Sequence, residues 1–474
     1  MTAPLWTSQD ALAATGGQAF GPDWQAQGIS IDSRTVSPGD LFVAIRGPQH
    51  DGHNFVSDAL ARGAAAALVD QRSEDLPSDA PLLLVKDSLA GLTDLAIRAR
   101  QRSAARILAV TGSVGKTGTK EMLRLALAAA GPTHASVGSF NNHWGVPLSL
   151  ARLPADAAFA IFELGMNHPG EITPLTRLVR PHLALITAVE AVHLEFFPSV
   201  EKIAEAKAEI FLGLEPGGTA ILPRDNPHFG YLAQQASQSG AAKIAGFGWH
   251  IDADGRLLDC AIDPTATMVF ALFGDQAISY RIGVAGRQWG LNSLAVLLAA
   301  TAVGVPLATA AQALGQMAAP KGRGLRKTLS WGQGQILVID ESYNASPVSM
   351  KAAIAALGST KPPAGGRRIA VLGDMLELGH AGPVLHGGLA GAVIEWGIDK
   401  VFTAGPLMRN LHDSLPSDRR GAHAEAADGL ADLLEAATQA GDVLMVKGSA
   451  GSRMGRVVAR LEELAALKQS AQSG

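Results

Sequence analysis

The 474-residue sequence predicts an α/β protein of three domains, and three observations predict it. First, the chain is too long for one hydrophobic core, since single cores stop growing at about 250–300 residues. Second, short apolar runs alternate with helix-forming segments, the pattern of mostly parallel sheets covered by helices. Third, one of those runs, Ile107 to Val110, leads directly into Gly112-Ser113-Val114-Gly115-Lys116-Thr117 and then into the helix formers Glu121 to Leu127.

Strand, glycine loop, Lys-Thr and helix in that order form a phosphate cradle. Gly112 and Gly115 let the backbone turn tightly with its N–H groups pointing inward, and the helix N-terminus adds partial positive charge. Lys116 reaches terminal phosphates and the Thr117 hydroxyl suits Mg²⁺. The longer loop rule wants Gly where Val110 stands, so this is the shorter Gly-x-x-Gly-Lys-Thr form. A glycine turn that binds nothing is the alternative; the flanking strand and helix weigh against it.

Composition narrows the function classes. With 47% hydrophobic residues and a net charge of −4, nothing resembles the clustered basic face of a nucleic-acid binder. One cysteine, Cys260, excludes an internal disulfide or a cysteine-rich zinc site and suits a reducing cytoplasm. The first residues lack the basic region and apolar core of a signal peptide. Leu294 to Ala311 is almost wholly apolar, but Pro306 breaks it, so a buried helix, a turn and a second helix are expected rather than a membrane span.

Taken in order, residues 1–104 read as a small α/β domain. Strands run over Gly28–Ile31, Leu41–Ile45 and Ala64–Val69, with a helix from Asn54 to Arg62. Ser33 and Arg34, at a strand end, either grip a diphosphate or are a turn serine and a surface arginine; the residues alone favour the second. Residues 105–315 read as the nucleotide domain, a P-loop-type, mostly parallel sheet with helices on both faces. Asn141 and Asn142 sit in a turn one step past the phosphate loop. Glu163 ends the buried run Ala158 to Phe162, the place for a Mg²⁺ ligand. His193 is either a metal ligand or a loop residue. Lys207 lies on an amphipathic helix from Ser199 to Leu212 whose charges read as an ordinary solvated face. Asn292 opens the long apolar helix, fit for a cap or a purine edge. Residues 316–474 read as a third, Rossmann-like α/β domain. Its strands Ile336–Asp340, Arg368–Leu372, Lys400–Ala404 and Asp442–Val446 each end in polar loops, where such sheets bind ligands.

These motifs, together with Asp340-Glu341-Ser342-Tyr343-Asn344-Ala345-Ser346-Pro347 and Gly373-Asp374-Met375-Leu376-Glu377-Leu378-Gly379, occur in the order and spacing of a known family. The chain resembles the Mur ligases over nearly its whole length. The resemblance implies ATP-driven amide formation through an acyl phosphate, with UDP-MurNAc-tripeptide and D-Ala-D-Ala as substrates, in a cytoplasmic monomer. It implies that Gly112, Ser113, Val114, Gly115, Lys116 and Thr117 hold the phosphates, with Thr117 and Glu163 on a first Mg²⁺ and His193 on a second. Lys207 matches a lysine that the family carbamylates into an anionic ligand, reversing the solvated reading. Asn292 would meet adenine, with Arg323 and Asp340 on the nucleotide from the third domain. Ser33 and Arg34 match the uridine-diphosphate site, and Asn141 and Asn142 the peptide end. Trp289 stands where relatives often carry His, Glu341 where many carry Asp, and Ser346 where Asn is frequent. Three other readings remain: a ligase adding a single amino acid, an ATPase driving motion or assembly, and a nucleotide sensor without turnover.

Overall fold

The computed structural model describes residues 3–192, 194–263 and 265–473. The central sheet carries the phosphate loop. Its strands lie in the order Thr133–Ala135, Phe159–Glu163, Arg106–Thr111, Leu183–Ile186, Thr219–Pro223, Lys243–Gly248, Gly255–Ile262, Thr267–Phe273 and Gln276–Ile282. The first seven are parallel neighbours and the last two antiparallel. Arg106–Thr111 runs between strands that the chain reaches in opposite directions, so its carboxyl end opens at a topological switch point, where open α/β sheets bind ligands.

The inner strands are apolar because both faces are covered: every residue of Phe159–Glu163 and Leu183–Ile186 is buried. The helix Lys116–Ala128 buries Met122, Leu123, Ala126 and Leu127 on one face, against the helix Arg287–Ala302 on the other side of its groove. That second helix, with Leu307–Ala313 after Pro306, is the buried pair expected from the apolar run. No described helix is long and apolar enough to cross a membrane.

The N-terminal sheet, Gln18–Phe20, Leu82–Leu84, Ala66–Val69, Asp40–Val43 and Gly28–Ser30, is joined to the central unit by the helix Ser88–Arg102. Leu92, Leu95 and Ala99 on that helix share one apolar core with Val146, Leu148 and Ala151 of the helix Gly145–Ala151. The expected helix from Asn54 begins as a 3₁₀ turn, Gly52–Phe55, and becomes α-helical only over Val56–Ala61.

The third sheet lies in the order Leu325–Trp331, Gly334–Glu341, Val443–Lys447, Arg368–Gly373, Lys400–Ala404 and Arg420–Ala424. Its first pair is antiparallel and the rest parallel. The carboxyl ends of three neighbouring strands therefore bring Glu341, Lys447 and Gly373 to one edge, facing the central domain.

One expected element is reshaped. The helix expected to run from Ser199 to Leu212 is α-helical over Val200–Ala208 and tightens into a 3₁₀ turn over Glu209–Gly213. Thr176 Oγ donates to the Ile210 carbonyl at 2.7 Å, and Glu209 accepts from the amides of Gly170 and Thr173 at 2.6 and 3.0 Å. Glu209 thereby satisfies orphan amides at the start of the helix Ile172–Val179, where its negative charge is favoured.

Candidate active site

Two glycines shape the loop after Arg106–Thr111. Gly115 has φ +85°, and a Cβ there would lie 2.6 Å from Asn292 Nδ2. Asn292 thus sits directly on the phosphate loop. Gly118, on the first turn of the following helix, faces Trp289 at comparable range. Lys116 Nζ donates to the Gly112 carbonyl at 2.6 Å. Burial pushes the Lys116 ammonium below the ordinary lysine value; Glu163 opposes that shift and Arg323 adds to it.

The acid at the end of Phe159–Glu163 is not solvated. Glu163 is only 1% exposed, and both its oxygens are held. Thr117 Oγ donates to Oε2 and Asn141 Nδ2 to Oε1, each at 2.8 Å. Ser139 Oγ lies 3.4 Å from the Thr117 hydroxyl. An unpaired buried carboxylate would cost several kcal/mol; these bonds hold it in place beside Thr117. Hydroxyl and carboxylate oxygens beside a phosphate cradle are the hard donors that Mg²⁺ prefers, so the residues fit that ion.

Asn142 does something different from Asn141. Its Oδ1 accepts the amides of Trp144 and Gly145, at 3.2 and 2.9 Å, and starts the helix Gly145–Ala151. The paired asparagines divide the work: the first orients the carboxylate, the second builds the turn.

Lys207 corrects the solvated-face reading of its helix. It is 2% exposed, and its ammonium has no hydrogen-bond or carboxylate partner among the described residues. Burial pushes it far below the ordinary value of 10.5, and the nearby charge of Lys116 pushes the same way. Both effects weaken the amine's hold on its proton. His193 lies outside the described residues.

From the third domain, Arg323 crosses the cleft. Its guanidinium lies 4.1 Å over the Tyr343 ring and donates to Ser139 Oγ at 3.3 Å. Asp340 is buried and turned toward its own loop. It accepts from the Gly322 amide at 3.1 Å, the Ser342 amide at 3.1 Å and the Ser342 hydroxyl at 2.6 Å. In this arrangement Arg323, not the Asp340 carboxylate, reaches the central wall. Lys447 was not singled out from sequence. It is buried, donates to the Asn344 carbonyl at 2.9 Å and lies 3.5 Å from Glu341; burial is the main cause of its lowered pKa.

The uridine-side candidates stand apart. Ser33 and Arg34 lie on the 3₁₀ turn Ser33–Thr35, where Arg34 is 84% exposed and forked onto Asp32 at 2.9 and 2.7 Å.

Residues 110–300 match the Mur ligase middle domain, residues 326–450 the Mur ligase glutamate ligase domain, and residues 25–100 the Mur ligase family catalytic domain. The chain is 33% identical to a UDP-N-acetylmuramoyl-tripeptide–D-alanyl-D-alanine ligase of Rickettsia prowazekii, over 91% of this chain and 94% of that one. It is 35% identical to the ligase of the same name from Escherichia coli, over 94% and 96%.

This chain belongs to the Mur ligase family.

Among solved Mur ligases, MurF from Acinetobacter baumannii superposes with a TM-score of 0.81 at 30% identity, over 97% of this chain and 99% of that one. MurF from Thermotoga maritima in complex with ADP gives 0.74 at 26% identity, over 92% and 97%. Both likenesses cover more than nine-tenths of this chain and so take in the N-terminal, central and third domains.

Sequence reading passed over Ser136, Ser139 and Lys120, which line or brace the Mur ligase cleft here. Their signal is weak in one dimension: serines near a glycine read as turn residues, and a lysine on a helix reads as surface.

Proposed function

We propose that this protein is the ATP-dependent ligase that joins D-Ala-D-Ala to UDP-MurNAc-tripeptide in peptidoglycan precursor synthesis, acting as a cytoplasmic monomer. The observation that carries the proposal is the convergence of Lys116, Thr117, Glu163 and Asn141 at the switch point, facing Arg323 across the cleft.

ATP is needed for a physical reason. A carboxylate is resonance-stabilised and a poor acyl donor. An oxygen of the tripeptide carboxylate attacks the γ-phosphorus, ADP leaves, and an acyl phosphate forms. The free amine of D-Ala-D-Ala then attacks the carbonyl carbon; phosphate leaves, the nitrogen loses a proton and the amide bond is made. Phosphoryl transfer asks mainly for positioning and charge neutralisation. Here the amides of residues 112–117 and Lys116 hold the β- and γ-phosphates, and Asn292 lies against the loop on the adenine side. Lys116 exchanges its bond to the Gly112 carbonyl for phosphate oxygen. Asp340 fixes the loop that presents Arg323 to the same phosphates. Ser33 and Arg34 bind the uridine diphosphate, while Asn141 and Asn142 border the peptide end.

Thr117 and Glu163 would hold one Mg²⁺, and His193 with Lys207 a second; bound there, the ions would neutralise phosphate charge. For Lys207 the suited form is the carbamate. Its unprotonated amine adds to the carbon of CO₂ and releases a proton, which converts an unpartnered buried amine into an anionic oxygen donor. The domain boundaries near residues 104 and 315 are proposed on the same basis, each unit having its own sheet.

The test is phosphate release from ATP with UDP-MurNAc-tripeptide, with and without D-Ala-D-Ala. Release that requires both acceptors is expected. Release without either, or equally with single amino acids, would overturn the proposal.

A further inference from the structure

Lys120 is a lysine with no exposed surface, one turn after the phosphate-loop lysine and outside every role assigned above. Its side chain is 0% exposed. Its Nζ donates to the Ser136 carbonyl at 2.6 Å and the Gly138 carbonyl at 2.9 Å, and lies 3.0 Å from Glu121 Oε1. All three N–H bonds of the ammonium are therefore accounted for. Glu121 remains the anionic partner: burial raises its pKa, but the bond from Arg124 and the charge of Lys120 outweigh that.

Burying an ammonium costs several kcal/mol before its partners are counted, and a methionine of similar length would fill the same space without that cost. What the charge gains here is a grip on one loop. Residues 136–141 form a wall of the site. Ser136 Oγ accepts the Glu163 amide at 3.3 Å. Ser139 Oγ touches the Thr117 hydroxyl and accepts from Arg323. Asn141 Nδ2 holds Glu163 Oε1, and its carbonyl accepts the Gly165 amide at 2.8 Å. Between Ser136 and Ser139, Val137 and Gly138 are exposed, and Gly138 sits at φ +55° with open space around it. Little but Lys120 pins that middle stretch.

We infer that Lys120 is a positioning residue: by clamping the carbonyls of Ser136 and Gly138 it sets where Asn141 and Ser139 place the Glu163 carboxylate and the Thr117 hydroxyl, and so sets the affinity for the magnesium–nucleotide pair. This rests on the reading that ATP and Mg²⁺ occupy this site. Groups that orient metal ligands from behind are typically worth about 10–100-fold in metal affinity or activity.

The experiment titrates Mg²⁺ into the full-length protein with a non-hydrolysable β,γ-imido ATP analogue, following heat, beside thermal melting and steady-state kinetics. Lys120→Met should raise the half-saturating Mg²⁺ concentration about tenfold and lower kcat, with KM for the uridine-nucleotide substrate unchanged. Lys120→Arg, which keeps a cationic donor, should recover most of the loss. Gly138→Val gives a route that leaves the core intact: it strains the loop from the surface and should shift Mg²⁺ dependence in the same direction, even if Lys120→Met does not fold. A changed melting temperature with unchanged Mg²⁺ dependence, or Lys120→Arg no better than Lys120→Met, would overturn the inference. A wild-type protein that binds no analogue would instead overturn the ligase reading beneath it.

Discussion

Two walls face each other across the cleft, and they are attached to the rest of the molecule in different ways. The central wall, with Lys116, Thr117, Asn141 and Glu163, belongs to a unit fused to the N-terminal sheet by one continuous apolar core from Trp6 and Leu95 to Val146 and Leu148. The third-domain wall, with Arg323, Asp340, Tyr343 and Lys447, stands on a unit with separate cores on the two faces of its own sheet. Among the described hydrogen bonds, it meets the central unit through Arg323 on Ser139 and the Glu195 amide on the Glu377 carbonyl at 3.2 Å. Apolar contact is lost at about 25 cal/mol per Å² when surfaces part, whereas a net hydrogen bond is worth about 1 kcal/mol because water replaces it. The expected behaviour is a rigid first junction and a hinge at the second, with nucleotide held on the fixed wall and the site completed as the other wall closes.

The sharpest test of the fixed wall is its lysine. Lys116→Ala removes the only side-chain cation of the phosphate loop, and kcat should fall by at least about 10³-fold, the scale of losing a charge that meets the transferred phosphoryl group. Melting temperature should hold or rise, because a half-buried, partly desolvated ammonium is removed. Substantial residual turnover would mean the phosphates lie elsewhere.

How much of this was legible beforehand follows from locality. The phosphate loop announces itself because its chemistry is contiguous in the chain: glycines, Lys116 and Thr117 act within six positions. Glu163 was legible from its place at a strand end, and the buried pair of helices from Pro306. What stayed hidden depends on contacts between distant positions. The charges around Lys207 look solvated on a helical wheel, and only the fold brings that lysine near Lys116. The antiparallel strands Gly255–Ile262, Thr267–Phe273 and Gln276–Ile282 expose one face, so their apolar signal is diluted by alternation. Arg323 and Asp340 were named by resemblance, but that Asp340 spends its oxygens on Gly322 and Ser342 is a property of folded loops.

Lys207 offers the next effect in size. Lys207→Met should cut kcat about 10²-fold while stabilising the protein, since an apolar chain suits this buried site better than an amine with no partner among the described residues. The sign of the pH effect follows. In CO₂-free buffer the folded amine binds its proton less readily than the unfolded one, so the unfolded state carries more protons below 10.5 and stability rises with pH from the depressed folded value up to that point. Lys207→Met should flatten that rise, read by melting across pH 6–10 or so. With ¹³C-bicarbonate, the wild type should show a carbamate carbon resonance that the variant lacks.

The hinge is tested by Arg323→Ala. The substitution removes one bond to Ser139 but no group of the phosphate loop, so analogue binding should weaken only a few-fold while kcat drops about tenfold through loss of closure. Small-angle scattering should show the wild type contracting with ATP analogue plus both substrates, and the variant contracting less. A wild-type curve unchanged by ligands would make the second junction as rigid as the first and erase the distinction between the walls.

The smallest effect is expected at the far end of the pair that shares a core. Arg34 is exposed and already forked onto Asp32, and a solvent-screened surface pair adds little, so its loss barely touches stability. To meet a diphosphate, the guanidinium exchanges a carboxylate for phosphate oxygens, and the net gain is small because one charged partner replaces another. Arg34→Ala should therefore raise KM for the uridine-nucleotide substrate about three- to tenfold with kcat and Mg²⁺ dependence unchanged, since binding energy removed equally from ground and transition states appears only in KM. A fall in kcat would show that the N-terminal unit shifts against the central one during turnover, which the apolar core shared by Leu95 and Leu148 should forbid.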